Sequence, residues 1–167
     1  PLVLTALEDS DRYFDLFLTF VGYDYSRRYL FIFQNNQELR ATGGFIGSFG
    51  RMNIDRGVVE SLDIREIYSP DGQLTKQILA PTPLQELTPR WFLRDSNWFA
   101  DFPTSAERIM WFYEKTGGPT PDGVISLTPT MIERLLRITG PITLEEYGVT
   151  VTADNFIRTT QYQTVTE

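Results

Sequence analysis

The chain contains no cysteine and no histidine among its 167 residues. It therefore has no disulfide, no thiol nucleophile and no Ser-His-Asp triad, and it lacks the usual ligands of structural zinc. Any chemistry must use carboxylates, arginine, lysine, tyrosine, hydroxyls or a hard cation held by oxygen, such as Mg²⁺. The absence of thiols is compatible with a location outside the cytoplasm.

Positive charge is also scarce, and nearly all of it is arginine. Lys76 and Lys115 are the two lysines, against thirteen arginines, and the net charge is −7. Because there is no basic tract, we expect no binding to nucleic acid. The planar guanidinium pairs well with carboxylate or phosphate, although a codon preference for arginine is an equally available explanation.

Long apolar runs are missing as well. No stretch reaches the roughly 18 apolar residues of a membrane helix, and there is no signal peptide. Because the chain starts at Pro1 without Met, we expect an anchor or export signal upstream in the natural protein. Length and an apolar fraction of 41% predict one folded domain over 1–167, with a helical lead-in (1–27), a core (28–155) and the start of a C-terminal helix (156–167).

Hydrophobic patterning and turn signals predict an α/β fold with one mixed sheet flanked by helices. The predicted strands are 28–34, 44–54, 58–64, 123–127 and 141–148, and the predicted helices are 7–22, 104–116 and 129–138. Asp55–Gly57 reads as a hairpin turn. The second half alternates helix and strand, which is the order of a parallel crossover unit. Prolines between residues 68 and 102 forbid a long helix there.

The first candidate site is the polar stretch between the first two predicted strands. Its candidate ligand-binding residues are Asn35, Asn36, Glu38, Arg40, Thr42, Gly43 and Gly44. A glycine pair lets backbone N–H groups approach an anion, and Arg40 is placed to close on the same anion. The structural alternative is a surface pair between Arg40 and Glu38, with the glycines serving a β-bulge.

The second candidate site is "LRDSNWFADFP", residues 93–103, in the irregular region. It offers Arg94, Asp95, Asn97 and Asp101 among aromatic side chains. Oxygen-bearing groups at this spacing suit Mg²⁺ or an arginine–phosphate site, with Asp95 and Asp101 as metal ligands. The alternative is a loop held in the core by its aromatics, with Asp101 capping the next helix.

Three blocks of the sequence resemble the DUF4012 family, a domain of unknown function. They are "RRYLFIFQNNQELRATGGFIGSFG", "LRDSNWFADFPTSAERIMWFYEKTGG" and "DGVISLTPTMIERLLRITGPI", followed by "VTADN". The resemblance implies a bacterial cell-envelope protein, with the domain behind a membrane helix and outside the cytoplasm.

That family in turn is similar in plan to the LytR-CpsA-Psr phosphotransferases, which move glycopolymers from a polyprenyl-pyrophosphate carrier onto peptidoglycan. The similarity implies a LytR-CpsA-Psr-like fold, with Arg40, Arg94 and Asp95 as catalytic residues and Mg²⁺ as the candidate cofactor. The aspartate that precedes the loop arginine in those enzymes is not evident here, where Asn35 and Asn36 stand instead.

Three functions remain open from the sequence. The first is phosphotransfer on a lipid-linked glycan, with the two arginines holding the pyrophosphate. The second is a binding module for polyprenyl phosphate or an envelope glycan. The third is a structural part of the cell surface. The expected partners are a phosphorylated, lipid-linked glycan or cell-wall polymer, and the membrane through a segment outside residues 1–167.

Overall fold

A computed structural model describes residues 2–159, and in the first helix the side chains from Ser10 onward. The helices are α1 (Leu2–Phe20), α2 (Tyr68–Gln73), α3 (Thr82–Gln85), α4 (Phe102–Lys115) and α5 (Pro129–Thr139). The strands are β1 (Arg27–Asn35), β2 (Phe45–Asp55), β3 (Val58–Glu66), β4 (Gly123–Leu127), β5 (Ile142–Leu144) and β6 (Val149–Val151). Residues 156–159 are helical, and the remainder of the predicted C-terminal helix lies outside the described residues.

Four strands form one mixed sheet in the order β3-β2-β1-β4. The pairs β1–β2 and β2–β3 are antiparallel, and β1–β4 is parallel. The turn at Arg56–Gly57 joins β2 to β3, at the predicted hairpin. The mixed sheet predicted from the four segments is therefore confirmed, with β1 inside it.

The main core lies on one face of this sheet, beneath α4. Ile109 and Phe112 of α4 are fully buried and belong to the same cluster as Leu30 and Ile32 of β1. Helix α4 starts after Asp101, whose carboxylate accepts a hydrogen bond from Thr104 N at 2.9 Å. Strand β1 is a buried inner strand, as its apolar run predicts.

The strand predicted over 141–148 is confirmed only for Ile142–Leu144, and it does not lie in the main sheet. Strand β5 is only three residues long, a turn of 3-10 helix covers Glu145–Tyr147, and β6 then pairs back onto β5 in an antiparallel hairpin outside the main sheet. Gly148 has φ 61°, so the chain reverses direction there, and all three β5 side chains are exposed. Ile142 and Leu144 lie on one face of β5 but stay exposed, so this segment does not join the main sheet as the strand of a parallel crossover.

The irregular region between β3 and α4 contains only short helices, as its prolines predict. Trp91 and Leu93 from this region are buried in the main core, so its aromatics do hold it against the sheet. Helix α5 follows its prediction but buries only Leu136. No helix in the described part of the chain is long and apolar enough to span a membrane.

Candidate functional site

The loop after β1, residues 36–44, is tied to the sheet by Gln34, and we call it the strand-end loop. Gln34 is almost fully buried, and its Nε2 donates a hydrogen bond to Thr42 Oγ1 at 2.9 Å. Its Oε1 accepts a bond from Ser126 Oγ of β4 at 2.8 Å. One buried amide thus fixes the loop to the neighbouring strand, which accounts for the position of Thr42.

Of the two asparagines at the start of the loop, Asn35 bonds within the loop and Asn36 bonds to α5. Asn35 Oδ1 accepts a hydrogen bond from Gln37 N at 3.1 Å, and its Nδ2 donates to Glu38 Oε1 at 3.1 Å. Asn36 Nδ2 donates to Thr130 Oγ1 at 2.8 Å, in the first turn of α5. The structure therefore places these predicted ligand-binding residues in contacts that shape the loop.

Asn97 holds the other end of the strand-end loop. It is fully buried, its Nδ2 donates to the Gly44 carbonyl oxygen at 2.8 Å, and its Oδ1 is without a hydrogen-bond partner among the described residues. A Cβ at Gly44 would lie 2.3 Å from the Asn35 carbonyl oxygen, and one at Gly43 would lie 3.2 Å from Gln34 Oε1. The glycine pair therefore allows the loop to pack closely against the end of β1.

Four side chains beside the strand-end loop form a charge cluster: Arg40, Asp71, Arg94 and Asp95. Asp95 lies between the arginines, with Arg40 Nη2 3.7 Å from Oδ1 and Arg94 Nε 3.5 Å from Oδ2. Arg94 Nη1 donates to Asp71 Oδ2 at 2.8 Å. The structure thus brings together the three residues predicted as catalytic, and Arg40 pairs with Asp95 rather than with Glu38.

Both carboxylates of the charge cluster are buried. The exposed fraction of the side chain is 4% for Asp71 and 7% for Asp95, and Asp71 Oδ1 also accepts a bond from Leu93 N at 2.9 Å. Burial raises the pKa of both carboxyls above the ordinary value, although Arg94 beside them acts in the opposite direction. Two positive and two negative groups leave the cluster without net charge.

The two arginines have different surroundings. Arg94 is bound to both carboxylates, and its guanidinium carbon lies 4.1 Å from the centre of the Phe92 ring. Among the described residues Arg40 has one ion pair, the long contact to Asp95; it also donates from Nη1 to the Leu39 carbonyl at 2.9 Å and stays 30% exposed. Since guanidinium has five N–H groups, Arg40 is the arginine with donors to spare for a ligand.

Asp71 is the member of the charge cluster that the sequence pattern does not reveal. It stands in "SPDG", which has the composition of an ordinary turn, 23 residues before its partner Arg94. Its burial in this long irregular region marks Asp71 as a member of the charge cluster, and burial is apparent only from the three-dimensional structure.

Asp101, the other predicted metal ligand, serves as the N-cap of α4. Its Oδ2 accepts bonds from Thr104 N and Thr104 Oγ1, and these bonds lower the pKa of Asp101. Asp95 lies between two guanidinium groups that would repel a cation. Residues 10–159 hold no group of three or more acidic side chains arranged to bind a metal. These contacts do not favour a shared Mg²⁺ site, and bound Mg²⁺ stays a prediction.

A groove of about 590 Å³ opens where β1 meets the strand-end loop, and its walls are largely apolar. The apolar lining includes Phe33, Ile64, Leu127, Ile132, Phe156 and Ile157. Asn35, Asn36 and Gln37 line it from the strand-end loop, three to five residues before Arg40. The sequence pattern does not reveal this groove, because its wall combines strands, α5 and the end of the described chain.

Fold and site together define an α/β domain with a buried ionic cluster and an apolar groove, and the strand-end loop contributes residues to both. A family model described as "Protein of unknown function (DUF4012)" matches residues 24–164, and the chain belongs to this family. Searches of curated proteins and of solved structures gave no match. The similarity to LytR-CpsA-Psr phosphotransferases therefore stays a prediction.

Proposed function

We propose that this domain binds a polyprenyl-phosphate-linked glycan of the cell envelope, outside the cytoplasm, through the strand-end loop. The observation that carries the proposal is the contact of Arg40 with a buried carboxylate that it shares with Arg94. The envelope location and the type of lipid carrier rest on the family resemblance described above.

Arg40 is the proposed contact to the phosphate. Its guanidinium is partly exposed, and Asp95 and the Phe45 ring, 5.1 Å away, hold it in place. Asp95 therefore orients the guanidinium through a long contact without occupying all of its donors. Arg94 is a positioning residue in this proposal, because Asp71 and Asp95 already engage it.

The groove is the proposed site of the prenyl chain. Its size is within the range of small-molecule sites, and its lining is mainly aliphatic and aromatic. The strand-end loop supplies polar groups at its rim and carries Arg40 further along. A ligand with an apolar chain and an anionic head matches both features.

The first test is the affinity of Arg40 variants for a short-chain prenyl phosphate, with the matching prenol and inorganic phosphate as reference ligands. Arg40→Ala removes a charge-assisted contact worth about 1.5–3 kcal/mol, which is roughly a 10- to 100-fold loss of affinity. Arg40→Lys should also bind weakly, since an ammonium does not reproduce the planar fork. Isothermal titration measures each affinity.

The matched control is Arg12→Ala, which removes an exposed arginine from α1. It should bind the prenyl phosphate as the wild type does. Equal affinity in all four proteins would contradict the proposal. So would a melting temperature that collapses in Arg40→Ala, because the arginine would then be structural.

A second candidate, phosphotransfer, is favoured by the raised pKa of Asp95 beside the proposed phosphate site. On a polyprenyl-pyrophosphate-linked glycan, the oxygen of an acceptor hydroxyl forms a bond to the phosphorus that carries the glycan, the P–O bond of the pyrophosphate breaks, polyprenyl phosphate leaves, and ionised Asp95 takes up the hydroxyl proton. Release of polyprenyl phosphate from a lipid-linked glycan, lost in Asp95→Asn, would support transfer. Tight binding with no release would leave the domain a binding module.

A further inference from the structure

A second, smaller cleft of about 100 Å³ lies between β2, β3, α2 and the end of α4. Its lining includes Arg51, Arg65, Ser69, Gln73, Tyr113 and Gly118. None of these residues belongs to the charge cluster or to the groove. A water occupies about 30 Å³ in the liquid, so the cleft has room for one small polyatomic group.

Two arginines in this cleft share a single carboxylate. Arg51 Nη2 and Arg65 Nε both donate to Asp63 Oδ2, the latter at 2.9 Å. The hydrogen bond from Arg51 lowers the pKa of Asp63, so this carboxylate is ionised at neutral pH. The three groups carry a net charge of +1, and the remaining N–H groups of the two guanidiniums are available to a ligand.

Tyr113 contributes a buried hydroxyl to the same cleft. The residue is 3% exposed, and its hydroxyl proton has no acceptor in the described part of the chain. The hydroxyl oxygen faces the Arg51 guanidinium, whose pKa is raised by the bond to Asp63 and also by Tyr113. The Tyr113 ring is held between its neighbours. Its centre lies 5.8 Å from the centre of the Phe49 ring, and the Gly118 backbone is so close that an added Cβ would lie 2.4 Å from the nearest ring carbon. A buried hydroxyl proton without an acceptor is costly, and an acceptor group from a ligand would satisfy it.

We propose that this cleft binds one phosphate group, through the guanidiniums of Arg51 and Arg65 and the hydroxyl of Tyr113. The paired forks and the net positive charge select a tetrahedral oxyanion. The volume admits the phosphate group alone, so the remainder of a phosphomonoester would project into solvent. The site is independent of the function proposed above.

The test uses the Arg40→Ala protein, so that the strand-end loop does not contribute to binding. Inorganic phosphate and phenyl phosphate, titrated separately by NMR, distinguish free phosphate from a monoester. Tyr113→Phe removes one hydroxyl and should weaken phosphate binding roughly tenfold. Arg65→Gln should weaken it at least as much. Tyr147→Phe, at an exposed tyrosine, and Arg134→Gln, at an exposed arginine, are the controls.

Folding is checked by the melting temperature without phosphate, which should be unchanged or higher in Tyr113→Phe because the hydroxyl proton without an acceptor is gone. Phosphate binding that is unchanged in both Tyr113→Phe and Arg65→Gln would overturn the proposal. Failure of wild-type and Arg40→Ala proteins to bind either phosphate would also overturn it. Neither result bears on binding of a prenyl phosphate at Arg40.

Discussion

Asp71 and Asp95 are the buried carboxylates of the charge cluster, and burying their charge is costly. Their side chains are almost out of contact with water, and burial raises the pKa of each. A carboxyl whose pKa is raised on folding binds its proton more tightly in the native state than in the unfolded state. At a pH below its pKa in the unfolded state, such a group makes its full contribution to the stability of the fold. This contribution is lost as the pH rises through its pKa in the folded state.

We therefore predict that the stability advantage of the wild type over Asp71→Asn shrinks as the pH rises above about 4, the unfolded value for aspartate. Asparagine does not titrate, so the change in the difference reports on Asp71 together with its Coulombic coupling to Asp95. The free energy of unfolding in urea, measured for both proteins between pH 3.5 and pH 7, gives this difference.

Asp101 provides a control, because its contribution to stability should depend on pH in the opposite direction. Bonds from Thr104 lower its pKa, so its contribution is present above the unfolded value and is lost as the pH falls through the folded value. The advantage of the wild type over Asp101→Ala should therefore shrink toward acid pH. The same trend for both variants would mean that the surroundings of Asp71 have been misassigned.

Among the helices and strands, α5 links the fold to the groove. Ile132 lines the groove, and Leu136, one turn further along, is the buried residue of the helix. Ile138 is 81% exposed and is not among the residues of the groove. The same helix thus offers one isoleucine in the proposed prenyl site and one outside it.

We predict that Ile132→Gln weakens binding of a short-chain prenyl phosphate, while Ile138→Gln leaves it unchanged. Loss of a few buried methylene groups, each worth about 0.8 kcal/mol, corresponds to a decrease of roughly tenfold or more. Affinity for inorganic phosphate should be the same in both variants, since the chain is not part of that ligand. Equal effects of the two substitutions on the prenyl phosphate would exclude the groove.

The elements that the sequence predicts are those whose signals are local. Strand β1 follows from a continuous apolar run, the hairpin turn from Asp55–Gly57, and α4 from the capping of its first turn. The error at 141–148 has a different origin. A short strand has the same local pattern whether it joins the parallel sheet or pairs with β6, and its exposed side chains are apparent only in the fold.

The residues of the candidate site also fall into two groups, those that the sequence reveals locally and those that only the fold reveals. Arg40, Arg94 and Asp95 stand out as charged residues in polar loops, and the structure brings them together. Asp71 and Gln34 do not stand out, because their partners are distant in sequence. A single sequence does not specify which loops contact each other in the fold. All members of an ionic cluster can be identified only when those contacts are known.

At the scale of the whole molecule, arginine accounts for the cationic partner in every ion pair found among the described residues. In both proposed sites one carboxylate is shared by two guanidiniums. Lysine is a point charge on a flexible stem and lacks the planar fork of N–H donors with which arginine holds a carboxylate. The excess of arginine over lysine is therefore used in the structure, whatever codon preference contributes.

From Ser10 onward, helix α1 makes few contacts with the rest of the described structure before its C-terminal end. From Ser10 to Phe20 its side chains are almost all exposed, whereas its end is bound to the sheet. Tyr29 Oη donates to the Phe20 carbonyl at 3.0 Å, and Arg56 N and Gly57 N donate to the carbonyls of Gly22 and Val21. The attachment is thus concentrated after residue 19.

We predict that deletion of residues 1–16 changes the melting temperature by no more than about 3 °C, equivalent to about 1 kcal/mol for a chain of this size. Deletion of residues 1–25 removes the bonds to Tyr29 and to the hairpin turn, and it should lower the melting temperature clearly. Differential scanning calorimetry compares both with the full chain. A large loss in the shorter deletion would show that the first turns of α1 pack on the domain.

The strand-end loop is held at three points: Gln34 with Thr42, Asn36 with Thr130, and Asn97 with the Gly44 carbonyl. A loop anchored in this way has already lost its conformational entropy when the chain folds, so a ligand does not bear that cost on arrival. Association then requires diffusion and orientation without a slow rearrangement, and differences in affinity between ligands arise from how long each stays bound. The three anchors thus make selectivity among ligands depend on the dissociation rate more than on the association rate.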